Sequence, residues 1–186
     1  MNKRAELTGE NIAYHAARVL LLIRICGKPQ SSASTMPGIE GRTLLAKLDF
    51  FLRYPIYLKK ALELRDIQLD GSGVSANINQ ETQTVESRMV KYLYGPWDHL
   101  YYVVLAYLIG KELISVEKKS GTEVFRVTAK GVEVADKLAA DAAYREISER
   151  ASIVYKAFSR FSGTRLKEFI YQNFPEVVKR ELGAVI

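Results

Sequence analysis

The sequence has very little of the chemistry on which most enzyme sites depend. Its 186 residues include one cysteine, Cys26, and two histidines, His15 and His99. This excludes an internal disulfide and a metal site with the usual ligand spacing. No glycine-rich phosphate loop and no nucleophile-elbow motif occurs in the chain. We therefore expect a non-enzymatic protein with no cofactor and no bound metal, and the single thiol suits a reducing cytoplasm.

Long apolar runs are also missing. The longest is far shorter than a membrane span, and the start, MNKRAELTGEN, has no apolar signal core. We therefore expect a cytoplasmic protein with no membrane partner. Hydrophobic residues still make up 48% of the chain, which is enough to form a folded core rather than a disordered polypeptide.

The first 65 residues carry three helical patterns. Apolar residues at helical spacing predict a first helix over about 9–26, which Gly27 ends. The stretch 27–41 is rich in Pro, Gly and Ser and is predicted to be a loop. A second helix follows, and Pro55 suits the start of a third. This order resembles the helical core of a helix-turn-helix, so we predict an N-terminal helical lobe over 1–65.

A polar stretch separates this lobe from the next. Residues 66–84 contain two glycines and few apolar side chains, so we predict a loop or linker. The next predicted helix runs over 85–94, since Val85, Met89, Val90 and Leu93 share a face. A further helix follows, with Asp98 as its N-cap and Gly110 as its C-cap. The core face predicted for this helix is Leu100, Val103, Val104, Tyr107 and Leu108.

Residues 114–127 pass a register test for a β-hairpin. A two-residue turn at Ser120-Gly121 gives one face that is apolar except for the Lys118/Glu123 pair beside the turn. That face pairs Ile114 with Val127 and Val116 with Phe125. The opposite face is mostly polar and holds the pairs Ser115/Arg126, Glu117/Val124 and Lys119/Thr122. A shift by one residue destroys the pattern, so the register is well determined.

A helix, a tight hairpin and another helix in succession are typical of a winged-helix domain, which we predict over 85–140. From Ala129 the chain is predicted to be helical to its end, with breaks at Ser162-Gly163 and Phe174-Pro175. This forms a C-terminal helical extension over 141–186. The predicted fold class is therefore mainly α: a winged-helix core with one β-hairpin wing and a helical C-terminal extension.

The helix before the wing bears on what the domain binds. In DNA-binding winged helices this helix enters the major groove, where Arg, Lys, Asn or Gln read base edges. Here it reads DHLYYVVLAYLIGK, with no Arg, Asn or Gln and with its one lysine at the end. Its outward face is predicted to carry His99, Tyr102 and Ala106, a composition typical of protein interfaces. Either these residues bind a partner, or they pack under the C-terminal helices.

Basic residues outnumber acidic ones by 27 to 21, which weakly favours a polyanionic partner. The side chains predicted to contact DNA phosphates lie at the wing tip (Lys118 and Lys119) and around the turn SRFSGTRLKEF (Lys156, Arg160, Arg165 and Lys167). Thr164 is predicted to be an N-cap beside Arg165. A further basic group flanks the third helix: Arg53, Lys59, Lys60 and Arg65. The alternative interpretation of each group is a solvated basic face, which is the more common role of such clusters.

Three segments together resemble a known family. VESRMVKYLYGPWDHLYYVVLAYLIGKELISV (85–116) carries an R-M-x-x-Y-x-Y-G-P-W-D core, and SGTRLKEFIYQNFPEV (162–177) lies near the C-terminus. With LLAKLDFFLRYP (44–55), these segments resemble the small third subunit of Lamassu-type antiphage systems, which are three-component bacterial conflict systems. The resemblance runs from the second to the last helix and leaves out 27–41 and 66–84.

The resemblance implies partners that the residues alone do not identify. Such systems combine an SMC-like ATPase, an effector that is often a nuclease, and a small helical subunit that bridges or clamps the ATPase. We therefore expect an accessory subunit that binds the ATPase and effector and contacts double-stranded DNA without sequence preference. The alternative is a stand-alone winged-helix transcription regulator, which needs base-reading side chains on the helix before the wing.

Overall fold

The computed structural model describes residues 3–29, 36–69 and 89–186, and the fold is mainly helical with small antiparallel sheets. The helices are α1 (Lys3–Cys26), α2 (Arg42–Arg53), α3 (Pro55–Leu64), α4 (Tyr101–Gly110), α5 (Ala129–Ala140), α6 (Arg145–Phe158), α7 (Gly163–Asn173) and α8 (Pro175–Val178). The strands are β1 (Gly38–Glu40), β2 (Val90–Tyr92), β3 (Gly95–Trp97), β4 (Ile114–Lys119) and β5 (Thr122–Val127). A short 3-10 helix, Ala142–Tyr144, lies between α5 and α6.

These elements form two compact units, each built from two separate stretches of chain. The first unit contains Met1–Glu40 and His99–Ser148, and the second contains Gly41–Asp98 and Glu149–Ile186. They do not follow the linear lobes expected from the sequence, which were 1–65, 85–140 and 141–186. The reason is that β1 pairs with β5 in the first unit, and α2 packs against α7 in the second. Most of the predicted linker, 70–84, lies outside the described residues.

The first unit is organised around α1. Helix α1 contacts α4, α5 and the sheet through a run of buried side chains from Ala16 to Ile23. It ends at Gly27, as predicted, where an added Cβ would lie 2.4 Å from the carbonyl oxygen of Ile23. The hairpin register is confirmed at all six positions from Ile114↔Val127 to Lys119↔Thr122.

Strand β1 lies inside the stretch 27–41, so the prediction of a loop throughout that stretch is wrong. β1 pairs with β5 and gives the sheet the order β1-β5-β4. Because β5 is therefore the central strand, Val124 and Arg126 on the predicted polar face are both buried. Arg126 donates to the Glu117 carboxylate at 3.1 Å and to the Met36 carbonyl at 2.7 Å.

The second unit has an aromatic core. Phe51 and Phe158 lie 4.5 Å apart between ring centroids, and Phe169 and Phe174 pack edge-on nearby. These rings bring α2, α6 and α7 together. The predicted break at Phe174-Pro175 is confirmed, since Pro175 is the first residue of α8.

The helix predicted over 85–94 is wrong in its described part, residues 89–94. This part forms β2 and a two-residue turn that leads into β3. Gly95 begins β3 with a φ of +109°, which other residues rarely adopt. The Met89 amide donates to the Tyr54 hydroxyl at 2.8 Å. Such long-range bonds outweigh the local helical spacing that the sequence shows.

The prediction that the chain is helical to its end is also wrong for the last residues. Helix α8 ends at Val178, and the C-terminal residues pair with β2 instead. The Lys91 amide donates to the Ala184 carbonyl, and the Gly183 amide donates to the Lys91 carbonyl, both at 2.8 Å. Lys91 and Pro96 form a non-hydrogen-bonded pair of the β2–β3 hairpin, so both backbone groups of Lys91 point away from β3.

Asp98 does not cap the helix that follows it, contrary to the prediction. Helix α4 begins at Tyr101, and the Asp98 carboxylate accepts a hydrogen bond from the Arg53 guanidinium at 2.8 Å. Arg53 also lies 3.6 Å from Asp49, and all three side chains are buried. Asp98 is therefore a structural residue of the second unit.

Gly131 offers a sharp test of packing in the first unit. An added Cβ would lie 1.9 Å from the Leu113 carbonyl oxygen and 2.8 Å from a Val127 methyl group. Gly131→Ala should therefore lower the free energy of unfolding by about 3 kcal/mol, as measured by urea denaturation.

The matched control is Gly110→Ala, which meets no heavy atom within 4 Å. It should leave stability unchanged or raise it by up to about 1 kcal/mol, because it restricts the unfolded chain. Equal effects of the two substitutions would contradict the close approach of Gly131 to Leu113.

Candidate functional site

An exposed apolar face runs along α4. Tyr102 and Val103 are 56% and 48% exposed, and Ala106, Tyr107 and Ile109 are exposed beside them. We call these five residues the α4 face. At 100° per residue they occupy one continuous side of a helix about 15 Å long. No charged or amide side chain interrupts them.

The buried side of α4 differs from the predicted one. Tyr101, Val104, Leu105 and Leu108 are buried, and α4 packs against α1. Val103 and Tyr107, which were expected in the core, are exposed instead. Because the helix is apolar on every side, its residue pattern does not define which side faces the core.

The predicted interface residues are all exposed. Tyr102 and Ala106 lie on the α4 face, and His99 lies in the turn before α4. All three side chains therefore lie at the surface of the first unit. The exposed Val103 and Tyr107 make the apolar face wider than the sequence predicts.

The wing-tip lysines are also exposed. Lys118 lies opposite Glu123 and Lys119 opposite Thr122 in the hairpin. A lysine beside a glutamate produces a weaker positive field than the sequence run KK suggests. The wing tip therefore offers little net charge to a phosphate.

The structure divides the other predicted basic residues between two sides of α7. The Arg165 guanidinium lies 4.5 Å from the centre of the Phe161 ring. Lys167 lies 5.4 Å from Tyr94 and 5.5 Å from Tyr171. Two residues apart on a helix means about 200° of rotation, so Arg165 and Lys167 point to different sides.

The capping residue of α7 is Ser162 and not Thr164 as predicted. The Ser162 hydroxyl accepts a hydrogen bond from the Arg165 amide at 3.2 Å. Lys156 and Arg160 are both exposed, and the Lys156 amine donates to the Gln68 carbonyl at 3.3 Å. This contact brings the residues after α3 beside the end of α6.

Sequence reasoning missed the role of Arg65, which it grouped with the basic residues flanking the third helix. Arg65 ends α3, and its guanidinium lies 4.6 Å from the Phe161 ring. Arg65 and Arg165 therefore share one aromatic ring. Residues 150–167 contain five basic residues and no acidic one, which marks the region around Arg165 as basic but does not point to Arg65.

Lys47 is a buried amine that sequence reasoning also missed. Its side chain lies on α2 and is 1% exposed. Among the described residues, its only hydrogen bond runs to the Thr43 carbonyl at 3.3 Å. Burial, and to a lesser degree the nearby charge of Lys167, lowers the pKa of Lys47 to about 7. Lys47 is therefore partly neutral at physiological pH.

The histidine and cysteine of α1 are structural. His15 is buried, with its Nδ1 atom 2.6 Å from Arg18. Burial strongly raises the pKa of the Cys26 thiol, so this thiol stays protonated and poorly reactive at neutral pH.

The motif R-M-x-x-Y-x-Y-G-P-W-D has a structural explanation over its described part, 89–98. Met89 is fully buried, Tyr92 stacks on Trp97, and Asp98 binds Arg53. Gly95 provides the positive φ after the turn. Tyr94, by contrast, is 57% exposed.

Within the described ranges, no group of three or more His, Cys, Asp or Glu side chains could hold a metal ion. No helix among the residues that the structure covers is long and apolar enough to cross a membrane. Comparison with protein-family models, with curated proteins and with solved structures finds no match to this chain.

The buried Lys47 amine makes a pH dependence predictable. Its pKa of about 7 in the folded state lies below the ordinary 10.5, so the unfolded chain binds more protons between these pH values. The free energy of unfolding should therefore rise with pH across that window, by about 1.4 kcal/mol per unit of pKa difference at most. Lys47→Met should raise the melting temperature at pH 7 and remove this rise.

The control is Lys59→Met, which removes an exposed lysine of α3. It should leave the difference between the melting temperatures at pH 7 and pH 9 as in the unmodified protein. If Lys47→Met also leaves that difference unchanged, Lys47 does not carry the pH dependence.

Proposed function

We propose that this chain is a non-enzymatic accessory subunit of an SMC-like ATPase complex in bacterial antiphage or anti-plasmid defence. It acts in the cytoplasm, where it bridges the ATPase and an effector subunit, often a nuclease. The observation that carries the proposal is the α4 face, an apolar helix side with the composition of a protein interface. The family resemblance supplies the identity of the partner.

The order of elements in the first unit supports a winged-helix domain as the docking module. Helix α1, strand β1, helix α4 and the β4–β5 hairpin follow one another, and the sheet order is β1-β5-β4. The hairpin is the wing in this proposal, and α4 is the helix before it. The stretch Gly41–Asp98 of the second unit is then an insertion between β1 and α4.

The composition of α4 favours docking on protein over reading of DNA bases. Base readout requires Arg, Lys, Asn or Gln on the helix that enters the major groove. The exposed side of α4 carries two tyrosines, a valine, an alanine and an isoleucine instead. This argues against the alternative of a stand-alone winged-helix regulator.

DNA contact in this proposal is sequence-independent and uses phosphates. Lys156, Arg160 and Arg165 lie on the second unit, and their charge reversal should weaken binding to unrelated duplexes alike. Strong preference for one operator-like site, unaffected by these changes, would favour the regulator.

Docking is tested by co-purification of the chain with the coiled-coil ATPase expected in a neighbouring gene. Tyr102→Ala removes an exposed aromatic anchor and should cost about 2 kcal/mol, roughly a thirtyfold loss of affinity. Ala106→Arg places a charge on the α4 face and should abolish co-purification.

The matched control is Ala139→Arg, which makes the same change at another exposed alanine of the first unit. It should leave co-purification intact, and neither arginine variant should lower the melting temperature of the isolated chain. The docking proposal fails if Ala106→Arg binds the ATPase as the unmodified chain does. A sharp fall in the melting temperature would instead place Ala106 in the packing of the chain itself.

A further inference from the structure

Two arginines from distant parts of the second unit converge on one aromatic ring. The Cζ atoms of Arg65 and Arg165 lie 4.6 Å and 4.5 Å from the centre of the Phe161 ring. Arg65 also lies 5.8 Å from the ring of Phe158. The rings hold both guanidinium groups in place, which reduces the entropy lost when they bind a ligand.

This arrangement leaves positive charge uncompensated. Within the described residues, neither arginine takes part in an ion pair. The Arg65 side chain is partly exposed, but its Nη1 atom is shielded from solvent and has no hydrogen-bond acceptor. Burial, followed by repulsion from Arg165, lowers the pKa of Arg65. A buried guanidinium N–H without an acceptor is unfavourable, and a bound anion would provide both an acceptor and a counter-charge.

Phosphate is the anion that suits this pair best. A guanidinium group presents several N–H donors in a planar fork that matches phosphate oxygens, and it remains charged. Lys156 and Arg160 add further positive charge on the end of α6, beside the residues that follow α3. Several cations together favour a chain of phosphates over a single ion.

We propose that Arg65 and Arg165, held against Phe161, bind a backbone phosphate of double-stranded DNA, while Lys156 and Arg160 contact neighbouring phosphates. This inference deepens the DNA contact of the proposed function and adds Arg65 to it. It does not depend on docking of the ATPase at the α4 face, so the two can fail separately.

The test measures binding of the full chain to two short duplexes of unrelated sequence by fluorescence anisotropy, between about 50 and 200 mM salt. Arg65→Gln and Arg165→Gln should each weaken binding roughly tenfold at the lowest salt, equally for both sequences. Each should also reduce the slope of log affinity against log salt by about one.

Lys59→Gln is the matched control, since it removes one exposed positive charge from the same unit and from the same helix that Arg65 ends. It should change affinity less than about twofold if binding is local to the arginine pair. Melting temperatures of the arginine variants should stay close to that of the unmodified chain, because the lost contact with Phe161 opposes the relieved repulsion between the two guanidinium groups.

Three outcomes would overturn the inference. If the arginine variants bind DNA as tightly as the unmodified chain, the proposed site does not bind DNA. If Lys59→Gln causes an equal loss of affinity, binding depends on overall charge and not on the arginine pair. The third outcome is binding of a phosphoserine peptide, or of inorganic phosphate alone, by a chain that does not bind either duplex. That result would assign the pair to a protein or small-molecule phosphate instead of DNA.

Discussion

A ten-residue helix without a charged side chain has to bury its apolar surface somewhere, and α4 buries only one side of it. Tyr101, Val104, Leu105 and Leu108 are buried on the side that packs against α1. The opposite side carries Tyr102 and Val103, which are each about half exposed. An apolar strip of this kind is characteristic of surfaces that bind another protein. The proposed role as a subunit depends on this difference between the buried side and the exposed side of α4.

The second unit carries the basic residues proposed to bind DNA, whereas the first unit carries the exposed apolar α4 face. Its buried carboxylates Asp49 and Asp98 both lie against Arg53, so the single positive charge of Arg53 is used inside the unit. Arg65 and Arg165 have no such partner among the described residues and lie together on Phe161. Buried ion pairs do not by themselves add stability, but they fix geometry. The positive charges of Arg65 and Arg165 are therefore available to an anionic ligand.

Local patterns in the sequence predicted those features that local physics determines. The β4–β5 register follows from alternation and from the turn at Ser120-Gly121, where both residues have positive φ. Pro55 and Pro175 mark helix starts because the missing N–H is not needed there. These features need no information from the rest of the chain.

Features that depend on distant residues were not predictable in this way. The β2–β3 hairpin has helical spacing in its sequence, and its pairing is completed by Tyr54 and by the C-terminal residues. Strand β1 has three residues, and only its pairing with β5 makes it a strand. The exposed width of α4 was underestimated because a helix that is apolar all round has no preferred side. The sequence does not reveal that Arg65 and Arg165 lie close together, because they are one hundred positions apart.

Site-specific photo-crosslinking can show whether the α4 face contacts the proposed ATPase partner. A benzophenone amino acid at position Tyr102 should crosslink to the ATPase in cells that express the whole complex. The same group at Tyr155, a tyrosine of the second unit that is 45% exposed against 56% for Tyr102, should not. Crosslinks from Tyr102 only to the chain itself, or equal crosslinking from both positions, would contradict docking of the ATPase at the α4 face.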